Sequence, residues 1–186
     1  MPIPRVLLEH FRSPRNKRPM PDATVSGAID GPRDGQRLTL FLRLDAGAKI
    51  VDASFTNTGD RQADASLSIL TSILPGRTID EAERLDVVDL ARPLEITDMP
   101  GAVMPALDVL RVTIARHRGV EDPFAADGRL ICHCFHVREG RIRRVVRERG
   151  LTSIEEVMRW TQACGGCRSC RPDIHLIIDE ERDRRT

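Results

Sequence analysis

The sequence predicts an α+β protein in two parts: a small antiparallel sheet packed by helices, then a small, mainly helical domain. Three observations predict it. Apolar residues alternate with polar ones over residues 37–56, then recur at helical spacing after residue 60. A stretch of acids, Pro and small residues at 120–128 separates that region from the rest. All five cysteines lie beyond residue 131, inside a 39-residue window. The expected boundaries are therefore a first domain over 1–119, a linker over 120–128 and a second domain over 129–186.

The elements follow in order. Val6, Leu7, Leu8 and Phe11 mark a short amphipathic helix ended by Ser13-Pro14. Strand residues begin at 24–28. Leu38, Leu40, Leu42 and Leu44 then share one face of a second strand, Asp45-Ala46-Gly47 turns the chain, and Val51, Ala53 and Phe55 alternate along a third. Ala65, Ile69, Leu70 and Ile73 define a helix stopped by Pro75-Gly76. Thr78 and Glu81 have the spacing of a capping box. A long helix from about Pro105 carries Leu107, Leu110 and Ile114 and stops near Gly119. In the second domain Ile142, Val145 and Val146 mark one helix, ended by Gly150. Thr152 with Glu155 is expected to cap the next, and Pro172-Asp173 to open the last.

Composition narrows the function. The 186 residues are 31% charged and 40% hydrophobic, which excludes disorder throughout. Lys plus Arg is 29 against 28 acids, so neither a nucleic acid nor another strongly charged partner is indicated for the whole chain. Residues 129–186 depart from that balance, with 13 Arg against 9 acids. No apolar run approaches the roughly 20 residues of a membrane helix, and a cytoplasmic location is expected. A domain of this size with few large apolar groups needs a staple, and clustered cysteines in such a chain point to metal or redox chemistry before disulfides.

The cysteines read Cys132-His133-Cys134, then Cys167-Arg168-Ser169-Cys170, and each close pair suits one metal atom. Structural zinc sites normally space their paired ligands by two to four residues, which Cys132 and Cys134 do not. A redox disulfide at Cys167 and Cys170 would call for a thioredoxin-like context that the pattern lacks. A 2Fe–2S cluster, with two thiolates per iron, fits best. His133 and His136 are expected to be exposed loop residues. Cys164 is left over as a buried or free thiol that also forms a Cys-x-x-Cys with Cys167. Arg168 and Arg171 flank the second pair, while Arg141, Arg143, Arg144 and Arg147 crowd one helix, either as a solvated face or as a docking patch for an acidic redox partner.

Leu130-Ile131-Cys132-His133-Cys134-Phe135 and Gly165-Gly166-Cys167-Arg168-Ser169-Cys170-Arg171-Pro172 resemble the ferredoxin-like domain at the centre of NifU-like proteins, shared with the small bacterioferritin-associated ferredoxins. The resemblance implies that Cys132, Cys134, Cys167 and Cys170 hold a 2Fe–2S cluster. Residues 4–118 resemble the scaffold domain of NifU-like and IscU-like proteins, through His10-Phe11-Arg12-Ser13-Pro14-Arg15-Asn16, Asp52-Ala53-Ser54-Phe55 and Ile114-Ala115-Arg116-His117-Arg118.

That scaffold family assembles clusters on three Cys and one Asp. Aligned on it, this chain places Asp34, Asp60 and Asp98 at the Cys positions and Gln36 at the Asp, and no Cys precedes residue 132. A carboxylate can ligate iron but is a hard donor that cannot carry persulfide sulfur. The three Asp are expected to be polar loop residues, with an iron-holding site as the sharper alternative. The resemblance thus implies a non-enzymatic protein of iron–sulfur cluster assembly with a permanent 2Fe–2S cluster and a disarmed scaffold. Its implied partners are a cysteine desulfurase or other assembly proteins, or a second copy of itself. The alternatives are an electron-transfer module of the bacterioferritin-associated type and a decoy of an intact scaffold.

Overall fold

In the computed structural model, which describes residues 3–30, 35–58 and 61–184, the alternating segment is the central strand of a three-stranded antiparallel sheet. Its strands are β1 (Val25–Asp30), β2 (Arg37–Leu44) and β3 (Ile50–Thr58), in that spatial order. Leu38, Leu40 and Leu42 are buried on one face of β2, with Leu40 opposite Gly27 on one side and Phe55 on the other. Period-two alternation does this because successive side chains leave opposite faces. Val51, expected to share the inward face with Ala53 and Phe55, is 47% exposed while Ile50 is fully buried. The ladder skips a residue there: Arg43 pairs with Asp52 but Leu44 pairs with Ile50, so Val51 bulges outward.

Helices α2 (Arg61–Ile73) and α5 (Met104–His117) pack on this sheet around Phe55, Leu67, Leu70 and Ile114. Gly27 is required by the approach of α5, since a Cβ there would stand 2.6 Å from the Thr113 backbone nitrogen. The His10–Asn16 signature works as a clip. His10, buried at the end of α1 (Arg5–Arg12), lies with Nδ1 2.7 Å from Ser68 Oγ of α2. The Arg15 N–H donates to the same oxygen at 2.7 Å, and the Asn16 carbonyl accepts from the Phe55 N–H at 3.0 Å. Burial, then Arg15, holds the His10 pKa below its usual value.

The expected capping box is present at the start of α3 (Ile79–Glu83), where Thr78 Oγ1 accepts from the Glu81 N–H. A second box, unanticipated, starts α4 (Val87–Ala91) from Asp86 and Asp89.

The chain divides into two compact units, Met1–Thr97 with Val103–Pro123, and Asp98–Ala102 with Phe124–Thr186. In the second, a short hairpin of β4 (Leu130–Cys132) and β5 (Val137–Arg138) precedes helices α6 (Glu139–Arg149), α7 (Ile154–Thr161) and α8 (Arg171–Asp183). Part of the stretch expected as linker packs here. Residues Ala125–Asp127 form a 3-10 turn, Asp127 is buried against Arg144, and the Arg141 guanidinium lies 6.0 Å from the Phe124 ring centre. Gly150 ends α6 in the left-handed conformation. Helix α7 is capped one residue later than expected, by Ser153 and Glu156. Glu156 also accepts from the Thr152 N–H, so Thr152 contributes without being the cap. The core joins Ile142, Val146, Val157, Ile174 and Ile177 to Cys132, Cys164 and Cys170. Among the described residues no helix is long and apolar enough to cross a membrane.

Candidate metal centre

Hairpin and helix bring the two cysteine motifs together. Cys132 is the last residue of β4, Cys134 sits in the turn after it, and Cys167 and Cys170 lead into α8 with Cys170 at its N-cap. Cys134 Sγ lies 3.3 Å from Cys167 Sγ. Cys132 and Cys164 lie close enough to Cys170 to shift its thiol. The contacts therefore run across the two motifs, Cys134 to Cys167 and Cys132 to Cys170. Sequence proximity had grouped Cys132 with Cys134 and Cys167 with Cys170. The reason is burial: Cys132 and Cys170 are in the hydrophobic core, whereas Cys134 is half-buried and Cys167 is exposed.

The two ends of the constellation differ electrostatically. Hydrogen bonds draw the Cys167 thiol down to about 7, first from the Ser169 hydroxyl at 3.1 Å, then from the Ser169 N–H and from Cys134. Burial pushes the Cys170 thiol up to about 12, with Cys132 beside it adding to the shift. The loop leaves no spare room, because a Cβ on Gly166 would lie 3.1 Å from both Cβ and Sγ of Cys134. Four soft sulfur donors in two facing pairs suit a two-iron centre. Among the described residues, no three His, Cys, Asp or Glu side chains are arranged around a single metal ion.

Other candidates fall in varied places. His133 and His136 are exposed. Cys164 is buried with a backbone φ of +70°, in the left-handed region that favours glycine. Asp34 and Asp60 lie outside the described residues. Asp98 is exposed and Gln36 half-buried.

Of the four arginines singled out on α6, only Arg147 is exposed, and Arg143, Arg144 and Arg147 are drawn into ion pairs. Arg141 is buried, Arg144 pairs with Asp127, and Arg143 meets Glu139, Glu180 and Glu181. Glu181 is itself 1% exposed and is held below the usual carboxylate range by Arg147 and Arg143. Sequence reading missed this network; Glu180 and Glu181 lie too far along the chain from α6 for helical spacing to pair them. Arg168 and Arg171 remain at the surface beside Cys167, and neither guanidinium meets a carboxylate among the described residues.

Fold and sulfur constellation together define a class: a cluster-scaffold fold joined to a 2Fe–2S domain. Residues 4–122 match the NifU-like N terminal domain, and residues 130–180 match the BFD-like [2Fe-2S] binding domain. The chain belongs to the NifU-like family, and its cofactor is a 2Fe–2S cluster. It is 33% identical over 194 aligned positions to the nitrogen fixation protein NifU of Trichormus azollae, covering 96% of this chain and 64% of that one. It is also 33% identical over 116 positions to the iron–sulfur cluster assembly enzyme IscU of Drosophila melanogaster, covering 60% of this chain and 75% of that one. The chain thus spans somewhat under two thirds of the NifU relative. A crystal structure described as a scaffold protein for the SUF system, from Fervidobacterium islandicum AW-1, shares the fold at a TM-score of 0.50 and 18% identity. That match covers 59% of this chain and 94% of the other.

Proposed function

We propose that this protein is a non-enzymatic component of iron–sulfur cluster assembly, placed in the cytoplasm. In this reading it carries one permanent 2Fe–2S cluster on Cys132, Cys134, Cys167 and Cys170 and builds none on its first domain. The observation that carries it is the meeting of four thiols from two distant motifs, Cys134 and Cys167 at 3.3 Å, in a chain whose scaffold-type first domain has no cysteine. When bound, such a cluster accepts and returns one electron. The protein's own residues seal the Cys132 and Cys170 end in the core and leave Cys167 facing solvent.

The first domain keeps the scaffold fold and its His10 clip without the thiolates that receive persulfide sulfur. Its role in this reading is docking, to a cysteine desulfurase, to another assembly protein or to a second copy. Exposed Arg168 and Arg171 beside Cys167 favour a second reading, electron transfer to a partner with an acidic surface.

Reconstitution of the full chain with ferrous iron, cysteine and a desulfurase tests the assignment. One cluster per chain is expected, abolished by Cys167→Ala with Cys170→Ala; a cluster formed in that double variant would contradict the assignment. Co-purification with the desulfurase separates the readings, since its absence favours electron transfer alone.

A further inference from the structure

Ser169 stands between the two cysteines of the second motif and belongs to no helix or strand. Its Oγ lies 3.1 Å from Cys167 Sγ. Between two free groups either atom can donate. Once Cys167 is a thiolate on iron its sulfur has no proton, so the serine hydroxyl becomes the donor. The buried end has a different environment. Cys132 and Cys170 lie in the core with Ile131, Ile174 and Ile177. Added negative charge is costly there, because apolar surroundings replace water. At Cys167 it meets a hydroxyl donor, solvent and the nearby guanidinium-bearing residues Arg168 and Arg171.

We propose that Ser169 is a positioning residue that raises the reduction potential of the cluster by donating a hydrogen bond to Cys167 at its solvent-facing edge. The proposal rests on the four-cysteine assignment above. A hydrogen bond to a sulfur strengthens as that sulfur gains negative charge, so it stabilises the reduced state more than the oxidised one.

The test is a redox titration of the anaerobically loaded full chain, with iron and sulfide counted first. At the potential where the wild-type cluster is half reduced, Ser169→Ala is expected to show a reduced-to-oxidised ratio lower by about tenfold, which is about 59 mV for a one-electron couple. Ser169→Thr keeps the hydroxyl and is expected to restore the wild-type midpoint. Ser169→Val, with nearly the shape of Thr, should not. A loaded Ser169→Ala with the wild-type midpoint overturns the proposal. Should Ser169→Ala load poorly, equal midpoints for the Thr and Val variants overturn it as well. A wild-type chain without iron and sulfide would instead overturn the cluster assignment, and the role of the serine with it.

Discussion

Gly166→Ala separates cluster binding from folding. A Cβ at this position meets Cβ and Sγ of Cys134 at 3.1 Å and the Phe135 ring at 3.5 Å. Ordinary carbon contacts begin near 3.4 Å, so Cys134 must give by a few tenths of an ångström. In the cluster-free protein it can, because Cys134 is half-buried in a turn with solvent on one side. With iron bound it cannot, since a metal–sulfur bond fixes the sulfur. Overpacking at an unyielding contact costs about 1–3 kcal/mol. At 1.36 kcal/mol per tenfold, that weakens cluster retention between about 5-fold and about 150-fold. The assay is anaerobic titration with an iron chelator, followed by visible absorption, beside thermal melting of the cluster-free protein. The variant should lose its cluster at correspondingly lower chelator concentration and melt with the wild type. A variant that resists the chelator as well as wild type, or whose cluster-free form melts early, would refute the reasoning.

Three further outcomes are expected. Cys164→Ser should leave the full iron and sulfide content in place; loss of the cluster would make Cys164 a ligand in place of one of the four. Glu181→Ala strips a buried carboxylate from Arg143, Arg147 and Arg184, and should destabilise the second unit by about 2–3 kcal/mol. Denaturant unfolding followed by fluorescence of Trp160, the sole tryptophan, reads that unit, and an unchanged midpoint would count against the network. His10 has a lowered pKa in the folded state, so below about pH 6.5 the unfolded chain takes up its proton first. The first unit should therefore lose stability as pH falls below that value. His10→Gln should flatten this slope in pH-dependent melting, and an equally steep slope in the variant would remove His10 from the account.

The parts of this fold that were legible in the sequence are those governed by local rules. Alternation in Leu38, Leu40 and Leu42 gave the central strand, Thr78 with Glu81 a cap, and Gly150 a helix stop, because each depends on neighbours within a turn or a pleat. What escaped depends on contacts between elements. The bulge that turns Val51 outward is set by the register of β2 against β3. The burial of Arg141 and the pairing of Arg143 follow from α6 lying against α8 and the 3-10 turn. Cys spacing likewise identified a two-motif constellation, but its crosswise contacts arise from the depth at which the hairpin and α8 meet. Cys132 and Cys134 are two residues apart and differ in burial, which no spacing rule records.

The central claim meets its most direct test in the composition of the anaerobically purified protein. Two irons and two acid-labile sulfides per chain, with a ferredoxin-type EPR signal on reduction, are the result this account predicts. One zinc per chain and no sulfide would contradict it.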